Sequence, residues 1–420
     1  MDKFVIHGGK KLSGSVKVEG SKNAALPIIA GAILVSKGAT TLENVPPLRD
    51  IYTIIKLLEF LGIKVAYNSD TMTMTIDASE ITGNTAPYEL VRQMRASFLV
   101  LGPLLSRLGE ARVSLPGGCT LGARPVDYHI KGFRLLGAEL SEEGGYIIAR
   151  SDKLEGSTVI FDRPSHTGTE NLLFGAVLAN GTTEIVNAAC DPEVVDVADF
   201  LNAAGAKIHG AGTSHIQVKG VKALKAVNYK VSGDRLVAGT HMFGAAITGG
   251  DITIRGVDPS HLTMVSRKLY EMGCKITERK DSLKVEGPRK LNPVKVVTYP
   301  FPGFPTDLQA CIMAASTVAS GTSNIKETVF EDRFNHTMEL RRLGADVSVT
   351  SDEAIVNGVS KLKGAAVMAS DIRAGAGLVL ACLASSGESE VLRIYHVDRG
   401  YYRLEEKLSA LGADIKRISS

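Results

Sequence analysis

Leu136-Gly137-Ala138 ends an amphipathic helical stretch and opens onto alternating strand residues, and this short sequence decides how the chain is organised. It returns five times in close variants: Leu61-Gly62-Ile63, Ala204-Gly205-Ala206, Met272-Gly273-Cys274, Leu343-Gly344-Ala345 and Leu411-Gly412-Ala413. The copies lie roughly 70 residues apart, the mark of a structural repeat, and six such units span the 420 residues. Each glycine falls where a helix stops with its C′ residue left-handed, a geometry that a Cβ disfavours. The residues after it alternate as a half-buried hairpin does, as in Thr71-Met72-Thr73-Met74-Thr75-Ile76 and His215-Ile216-Gln217-Val218.

A second glycine, with a short strand after it, precedes each helix stop: Gly38, Gly109, Gly181, Gly250, Gly321 and Gly387. Ahead of these lie small-residue apolar runs such as Ala24 to Val35, Phe98 to Leu105 and Leu378 to Leu383. A helix that is apolar all round is a buried helix. Each unit therefore predicts strand, buried helix, strand, exposed amphipathic helix and hairpin. The fold class is α/β, with buried helices inside a shell of sheets. The length exceeds one ordinary core, so two domains of three units each are expected.

Composition excludes several classes. Hydrophobic residues make up 44% and charged residues 22%, a globular balance, and 48 basic against 45 acidic residues leave a net charge of only +3. No Lys/Arg run has the density of a nucleic-acid arm, so anion binding must rest on individually placed cations. Met1-Asp2-Lys3-Phe4-Val5-Ile6-His7-Gly8-Gly9 lacks the apolar core of a signal peptide, and no stretch is long and apolar enough to span a membrane. A cytoplasmic chain is expected. Five cysteines without metal-type spacing support neither a disulfide framework nor a zinc site.

The residues that break the repeat pattern are the functional candidates, because loops carry chemistry on a rigid scaffold. Ser21-Lys22-Asn23 opens the first buried helix. A lysine there opposes the helix dipole; it suits either a bound phosphate or carboxylate, or an exposed capping segment. Pro116-Gly117-Gly118-Cys119-Thr120-Leu121-Gly122-Ala123-Arg124-Pro125-Val126-Asp127 joins a strand to a helix. Its glycines leave Cys119 accessible beside Arg124, which favours a reactive thiolate; the alternative is an incidental loop cysteine. Phe304-Pro305-Thr306-Asp307 precedes another buried helix, where Asp307 reads as an N-cap or as a functional carboxylate. Glu331-Asp332-Arg333, Asp371-Ile372-Arg373 and Asp398-Arg399-Gly400 each set an arginine beside an acid, which taken singly reads as a structural surface ion pair. With Arg95 and Arg124 they supply five arginines at equivalent ends of the repeats, and arginine forks match phosphate and carboxylate. A polyanionic substrate explains them together.

At these residues the chain resembles the enolpyruvyl transferase family, and within it the branch that uses UDP-N-acetylglucosamine. The likeness covers essentially the whole chain and is most specific at Ser21-Lys22-Asn23-Ala24-Ala25, Pro116 to Asp127, Phe304-Pro305-Thr306-Asp307 and Arg393-Ile394-Tyr395-His396-Val397-Asp398-Arg399-Gly400-Tyr401. The sister branch of the shikimate pathway lacks the cysteine loop. The resemblance implies two inside-out α/β barrels of three repeats, residues 22–232 forming one domain and residues 1–21 with 233–420 the other. It implies transfer of the enolpyruvyl group of phosphoenolpyruvate to the 3′-hydroxyl of UDP-N-acetylglucosamine, the first committed step of peptidoglycan synthesis, with no cofactor or metal. Substrates are expected in a cleft closed by the cysteine loop. Cys119 is the implied proton donor and target of fosfomycin, and Asp307 the implied base. Lys22, Asn23, Arg124, Arg373 and Arg399 are implied for phosphoenolpyruvate, with Lys22 and Arg399 also catalytic. Asn23, Arg95, Arg124, Pro125, Val126, Asp127, Tyr128, Ser165, Asp307 and Val329 are implied for the nucleotide sugar.

The chain departs from the family pattern twice. Ser165-His166-Thr167-Gly168-Thr169-Glu170 replaces a segment with valine, glycine and alanine, and Val237 replaces a common glutamate. A different acceptor, and a non-catalytic UDP-sugar-binding paralogue, are the rival readings. An acid and a base beside every cation argue against the second.

Overall fold

The computed structural model describes residues 2–116, 126–331 and 333–419. Their mixed α/β fold contains, among the described residues, six four-stranded sheets and one two-stranded sheet. All six larger sheets share one pairing scheme: an outer strand joined in parallel, then two antiparallel contacts. In one, Thr158–Ile160 pairs in parallel with Thr182–Val186, which pairs antiparallel with His215–Lys219, and that strand with Lys207–His209.

The chain divides into two compact units, one of residues 2–19 with 233–419, the other of 20–116 with 126–232. Each contains three of the four-stranded sheets. The start of the chain belongs to the sheets of the first unit. Lys3–His7 lies between Glu388–Leu392 and Asp414–Ile418, and Ser13–Lys17 runs parallel to Asp251–Arg255.

Local chemistry sets the element ends. The six helix-stop glycines have φ of +86° at Gly62, +85° at Gly137, +103° at Gly205, +95° at Gly273, +87° at Gly344 and +98° at Gly412. The amphipathic helices behave as their pattern demands: Arg49–Phe60 buries Ile51, Ile54, Leu57 and Leu58 and exposes Lys56 and Glu59. The apolar runs are buried on every side. In Arg235–Thr248 every residue from Arg235 to Ile247 is buried. That helix packs with Gln309–Ser316 and Ile372–Ala384 in the first unit, where an added Cβ on Gly377 would meet the Ala310 carbonyl oxygen at 2.7 Å. Burying each leucine or valine of these helices is worth about 2 kcal/mol.

Two buried runs differ from expectation. The one around Phe98 is a 3₁₀ turn, Arg95–Val100, leading into the helix Leu101–Leu108. Pro103 stands in that helix's first turn, where its missing N–H costs nothing. The run from Ala24 likewise divides into the helix Lys22–Gly31 and the 3₁₀ turn Ala32–Leu34. Val237, the departure from the family's glutamate, belongs to the first unit's hydrophobic core. No helix among the described residues is long and apolar enough to cross a membrane.

His241 sits in the middle of Arg235–Thr248, fully buried, with no hydrogen-bond partner for either ring nitrogen among the described residues. Burial, and then the charge of Lys407, pushes its pKa down to about 3. The unfolded chain takes up this proton near pH 6.5 and the folded chain refuses it, so the group erodes stability as pH falls from 6.5 toward 3. His241→Leu should raise the melting temperature. The gain should grow on going from pH 7 to pH 4.5, where linkage is worth on the order of 2 kcal/mol; a gain independent of pH would contradict this account.

Candidate active site

In the unit of residues 20–232, Ser21 caps the helix Lys22–Gly31 by accepting from the Ala24 N–H at 3.3 Å. Lys22 is the first helical residue, and it is buried rather than exposed. Its Nζ lies 3.1 Å from Asp50 Oδ2, and the two side chains are only 9% and 4% exposed. The exposed capping alternative is therefore excluded. Asn23 is half-buried beside it. Asp50 was not legible as a site residue, since an acid in the first turn of the amphipathic helix Arg49–Phe60 reads as a helix-dipole partner.

The helix Lys22–Gly31 packs against the 3₁₀ turn that begins at Arg95. A polar chain continues from there. Asn171 is oriented by accepting from the Gly102 N–H at 2.9 Å and donating to the Phe98 carbonyl at 3.4 Å. Its amide nitrogen therefore donates to His129 Nδ1 at 2.9 Å, which leaves the proton on Nε2, 3.3 Å from the Thr167 hydroxyl. Burial, reinforced by Arg95, pushes His129 down to about 3, so the ring is neutral. Val126 is buried at the start of the helix Asp127–Leu135, Asp127 is exposed, and Tyr128 packs edge-on against Phe161. Ser165 caps the helix His166–Ala176 through the Gly168 N–H. His129 and Thr167 carry no motif that marks them in the sequence. Cys119, Arg124 and Pro125 lie outside the described residues.

In the other unit Asp307 is held between two arginines. Its Oδ1 is 2.8 Å from Arg333 Nη2 and its Oδ2 is 3.1 Å from Arg373 Nε, both guanidinium groups being buried. The N-cap reading of Asp307 is corrected: it lies inside the 3₁₀ turn Thr306–Leu308, and no side chain caps the adjoining helix Gln309–Ser316. Arg373 is buried, and its guanidinium also bears on Tyr401. The ring of Tyr401 stacks under this guanidinium at 5.4 Å, and the Tyr401 hydroxyl is fixed by Thr240 at 2.9 Å.

The acid-arginine doublets resolve differently from their sequence order. Asp371 caps Ile372–Ala384, accepting from the Arg373 and Ala374 N–H groups at 2.9 and 3.0 Å. Asp398 pairs with Arg417, 19 positions along the chain. Arg399 ends the 3₁₀ turn Val397–Arg399 and bears on His396, whose pKa is lowered by burial and then by this charge. Glu327, absent from the sequence candidates, organises the loop with Val329. It accepts from Thr298 at 2.7 Å, Thr306 at 2.8 Å, and the N–H groups of Val329 at 2.8 Å and Phe330 at 3.2 Å.

Each unit thus offers buried cations and acids at the entrances of buried helices, the equipment of an enzyme that handles polyanions by charge and proton transfer. Residues 6–408 match the family described as EPSP synthase (3-phosphoshikimate 1-carboxyvinyltransferase). Proteins named UDP-N-acetylglucosamine 1-carboxyvinyltransferase from Desulfosudis oleivorans and Trichlorobacter lovleyi are 51% and 52% identical, each comparison covering all of both chains. Among solved structures, the enolpyruvyl transferase NikO from Streptomyces tendae is 25% identical with a TM-score of 0.89, over 100% of this chain and 99% of that one. EPSP synthase from Acinetobacter baumannii, 20% identical over 100% of both chains, shares the fold with a TM-score of 0.78. The chain belongs to the enolpyruvyl transferase family.

Replacing Glu327 by alanine leaves four donors without their acceptor, two of them on the loop with Val329. Glu327→Ala should cost about 2–4 kcal/mol of stability, the upper range for a buried charged acceptor. A denaturant midpoint close to that of the unmodified protein would show that the loop does not depend on this carboxylate.

Proposed function

We propose that the chain transfers the enolpyruvyl group of phosphoenolpyruvate to the 3′-hydroxyl of UDP-N-acetylglucosamine and releases phosphate, the first committed step of peptidoglycan synthesis. The observation that carries this reading is the end-to-end identity of about half with proteins named for that activity. Phosphoenolpyruvate and the nucleotide sugar are cytoplasmic metabolites, which supports a cytoplasmic enzyme. The finer architecture proposed is two inside-out α/β barrels of three repeats, residues 22–232 in one and 1–21 with 233–420 in the other.

The reaction is an addition and then an elimination. A proton goes to the methylene carbon, which becomes a methyl group, the sugar oxygen bonds to the adjacent carbon as its hydroxyl proton leaves, and loss of phosphate with one proton of that methyl group restores the double bond. This needs an acid, a base and fixed cations around developing charge. Cys119 supplies the proton and Asp307 takes the one leaving the sugar hydroxyl. Lys22, Asn23, Arg124, Arg373 and Arg399 hold the phosphate and carboxylate. Arg333, on the other oxygen of Asp307, is added to this group on its geometry. Arg95, Val126, Asp127, Tyr128, Ser165 and Val329 position the nucleotide sugar, with Arg124 and Pro125. Phosphate release that depends on UDP-N-acetylglucosamine tests the reading; release without that dependence would point to another acceptor.

Cys119 is proposed as the reactive thiol partly because the other four are poor candidates. Burial pushes Cys274 up to about 12, Cys311 to about 11 and Cys382 to about 12, and burial with Asp191 raises Cys190. Fosfomycin, an epoxide phosphonate, should alkylate Cys119 alone, as read by peptide mass spectrometry. Cys119→Asp should resist the drug and keep turning over, because a carboxylic acid also donates a proton. Labelling at any of the other four would overturn the assignment.

Asp307→Asn keeps the shape but cannot take the sugar proton. Its kcat should fall roughly 10²–10⁴-fold. The melting temperature should also drop, because Arg333 and Arg373 lose their shared carboxylate. Fosfomycin labelling should persist, since alkylation needs no sugar proton removed. Turnover within about fivefold of the unmodified enzyme would mean that Asp307 serves only the two arginines.

A further inference from the structure

Three buried helices of the first unit bring a short polar relay together behind Asp307, and the reaction described above uses none of its outer members. Thr240, in Arg235–Thr248, and Tyr401, just after the 3₁₀ turn Val397–Arg399, are 1% and 2% exposed. Their oxygens are 2.9 Å apart. Thr240 Oγ1 also lies 2.9 Å from the Leu236 carbonyl oxygen and 3.7 Å from Cys311 Sγ, on Gln309–Ser316. The Arg373 guanidinium stands 5.4 Å from the centre of the Tyr401 ring, and its Nε donates to Asp307 Oδ2 at 3.1 Å.

The direction of the protons follows from counting donors. A threonine hydroxyl has one hydrogen and two lone pairs. A backbone carbonyl can only accept, so the Thr240 hydrogen goes to Leu236, one turn back in the same helix. Thr240 Oγ1 is then an acceptor toward Tyr401, whose O–H donates to it. With its hydrogen committed there, the phenol oxygen offers lone pairs to the Arg373 guanidinium that bears on it. The opposite orientation would aim a hydrogen at a group with no lone pair to accept it. Burial pushes the phenol up to about 12 against the pull of Arg373, so it stays neutral and keeps this hydrogen. Guanidinium donors form a rigid planar fork. Holding one part of the fork on the phenol therefore sets the direction in which Nε–H meets Asp307.

We propose that Tyr401, its hydroxyl directed by Thr240, is a positioning residue for the reaction: it fixes the plane of Arg373 and, through Arg373, the orientation of the Asp307 carboxylate. This rests on the reading of Asp307 as the base. Tyr401 acts through Arg373 rather than on the reacting atoms.

The test combines steady-state kinetics with nuclear magnetic resonance of the intact enzyme carrying isotope-labelled arginine. Tyr401→Phe keeps the ring beside Arg373 and deletes only the oxygen. Its kcat should fall about tenfold, the scale of one lost hydrogen bond to a charged group, with UDP-N-acetylglucosamine affinity within about twofold. Thr240→Val leaves the phenol hydrogen without its acceptor and should cost a similar factor. Thr240→Ser, which restores the hydroxyl, should recover most of it. In an Asp307→Asn background Tyr401→Phe should lower kcat by less than about twofold, because its route to the chemistry is already gone. A side chain that only supports the fold would lower the melting temperature and leave turnover of the folded enzyme unchanged, or subtract the same factor in both backgrounds. The Arg373 Nε–H signal, assigned by its loss in Arg373→Lys, gives an arm independent of turnover. Its exchange with solvent should quicken about tenfold in Tyr401→Phe and stay near the unmodified rate in Thr240→Ser. A Tyr401→Phe kcat within about twofold of the unmodified enzyme, an equal loss in both backgrounds, or an unchanged Nε–H exchange rate would each overturn the proposal. An unmodified enzyme that releases no phosphate with UDP-N-acetylglucosamine, while Tyr401→Phe still quickens that exchange, would instead refute the functional reading and leave the positioning of Arg373 standing.

Discussion

A helix with no polar face can persist in water only if something covers it on every side. Ile372–Ala384 and Arg235–Thr248 carry alanine, leucine, valine and glycine around the whole circumference, so neither has a face to give to solvent. The four-stranded sheets and the amphipathic helices supply the cover, and the recurring glycines let each amphipathic helix turn back into its hairpin within a single residue. Side chains along such helices must be small where helices meet, as Gly377 is against Ala310. What remains free of this constraint is the helix entrance.

The polar chemistry therefore gathers at helix starts. Lys22, His166, Asp234, Asp307 and Arg373 all stand within a residue or two of one. Lys22, Asp234 and Arg373 are buried, and an unpaired buried ion costs several kcal/mol. Lys22 is answered by Asp50, Asp307 by Arg333 and Arg373, and Glu170 by His166. Each pair also holds its charges fixed in space, so that no reorganisation would be needed there.

The scaffold was legible in the sequence because its rules are local. A glycine after an amphipathic stretch, and a run without polar residues, each say what one segment must do. Even there the reading had limits. The six glycines ahead of the strands look alike in sequence, yet Gly38, Gly109, Gly181 and Gly387 are left-handed whereas Gly250 and Gly321 are not, Gly249 taking the turn in the fourth unit with φ of +61°. The site was legible only as single residues. Lys22 and Asp50 are 28 positions apart, and Asp307 and Arg373 are 66 apart, so no window of sequence contains either pair. Local doublets misled for the same reason. Asp371 and Asp398 look like partners for the arginines beside them, but one closes a helix end and the other binds Arg417.

The two departures from the family pattern show how a fixed scaffold constrains variation. Val237 occupies a core position, and an apolar side chain there needs no counter-charge. At His166 the opposite holds. Glu170 points inward with almost no exposure, so its charge needs a partner wherever the helix start is rebuilt. A histidine one turn before it supplies that partner, and Asp191 and Glu193 make the proton on that histidine durable. The segment Ser165 to Glu170 is thus better understood as one charge-balanced set than as separate substitutions, because removing the cation alone would strand a carboxylate in the protein interior.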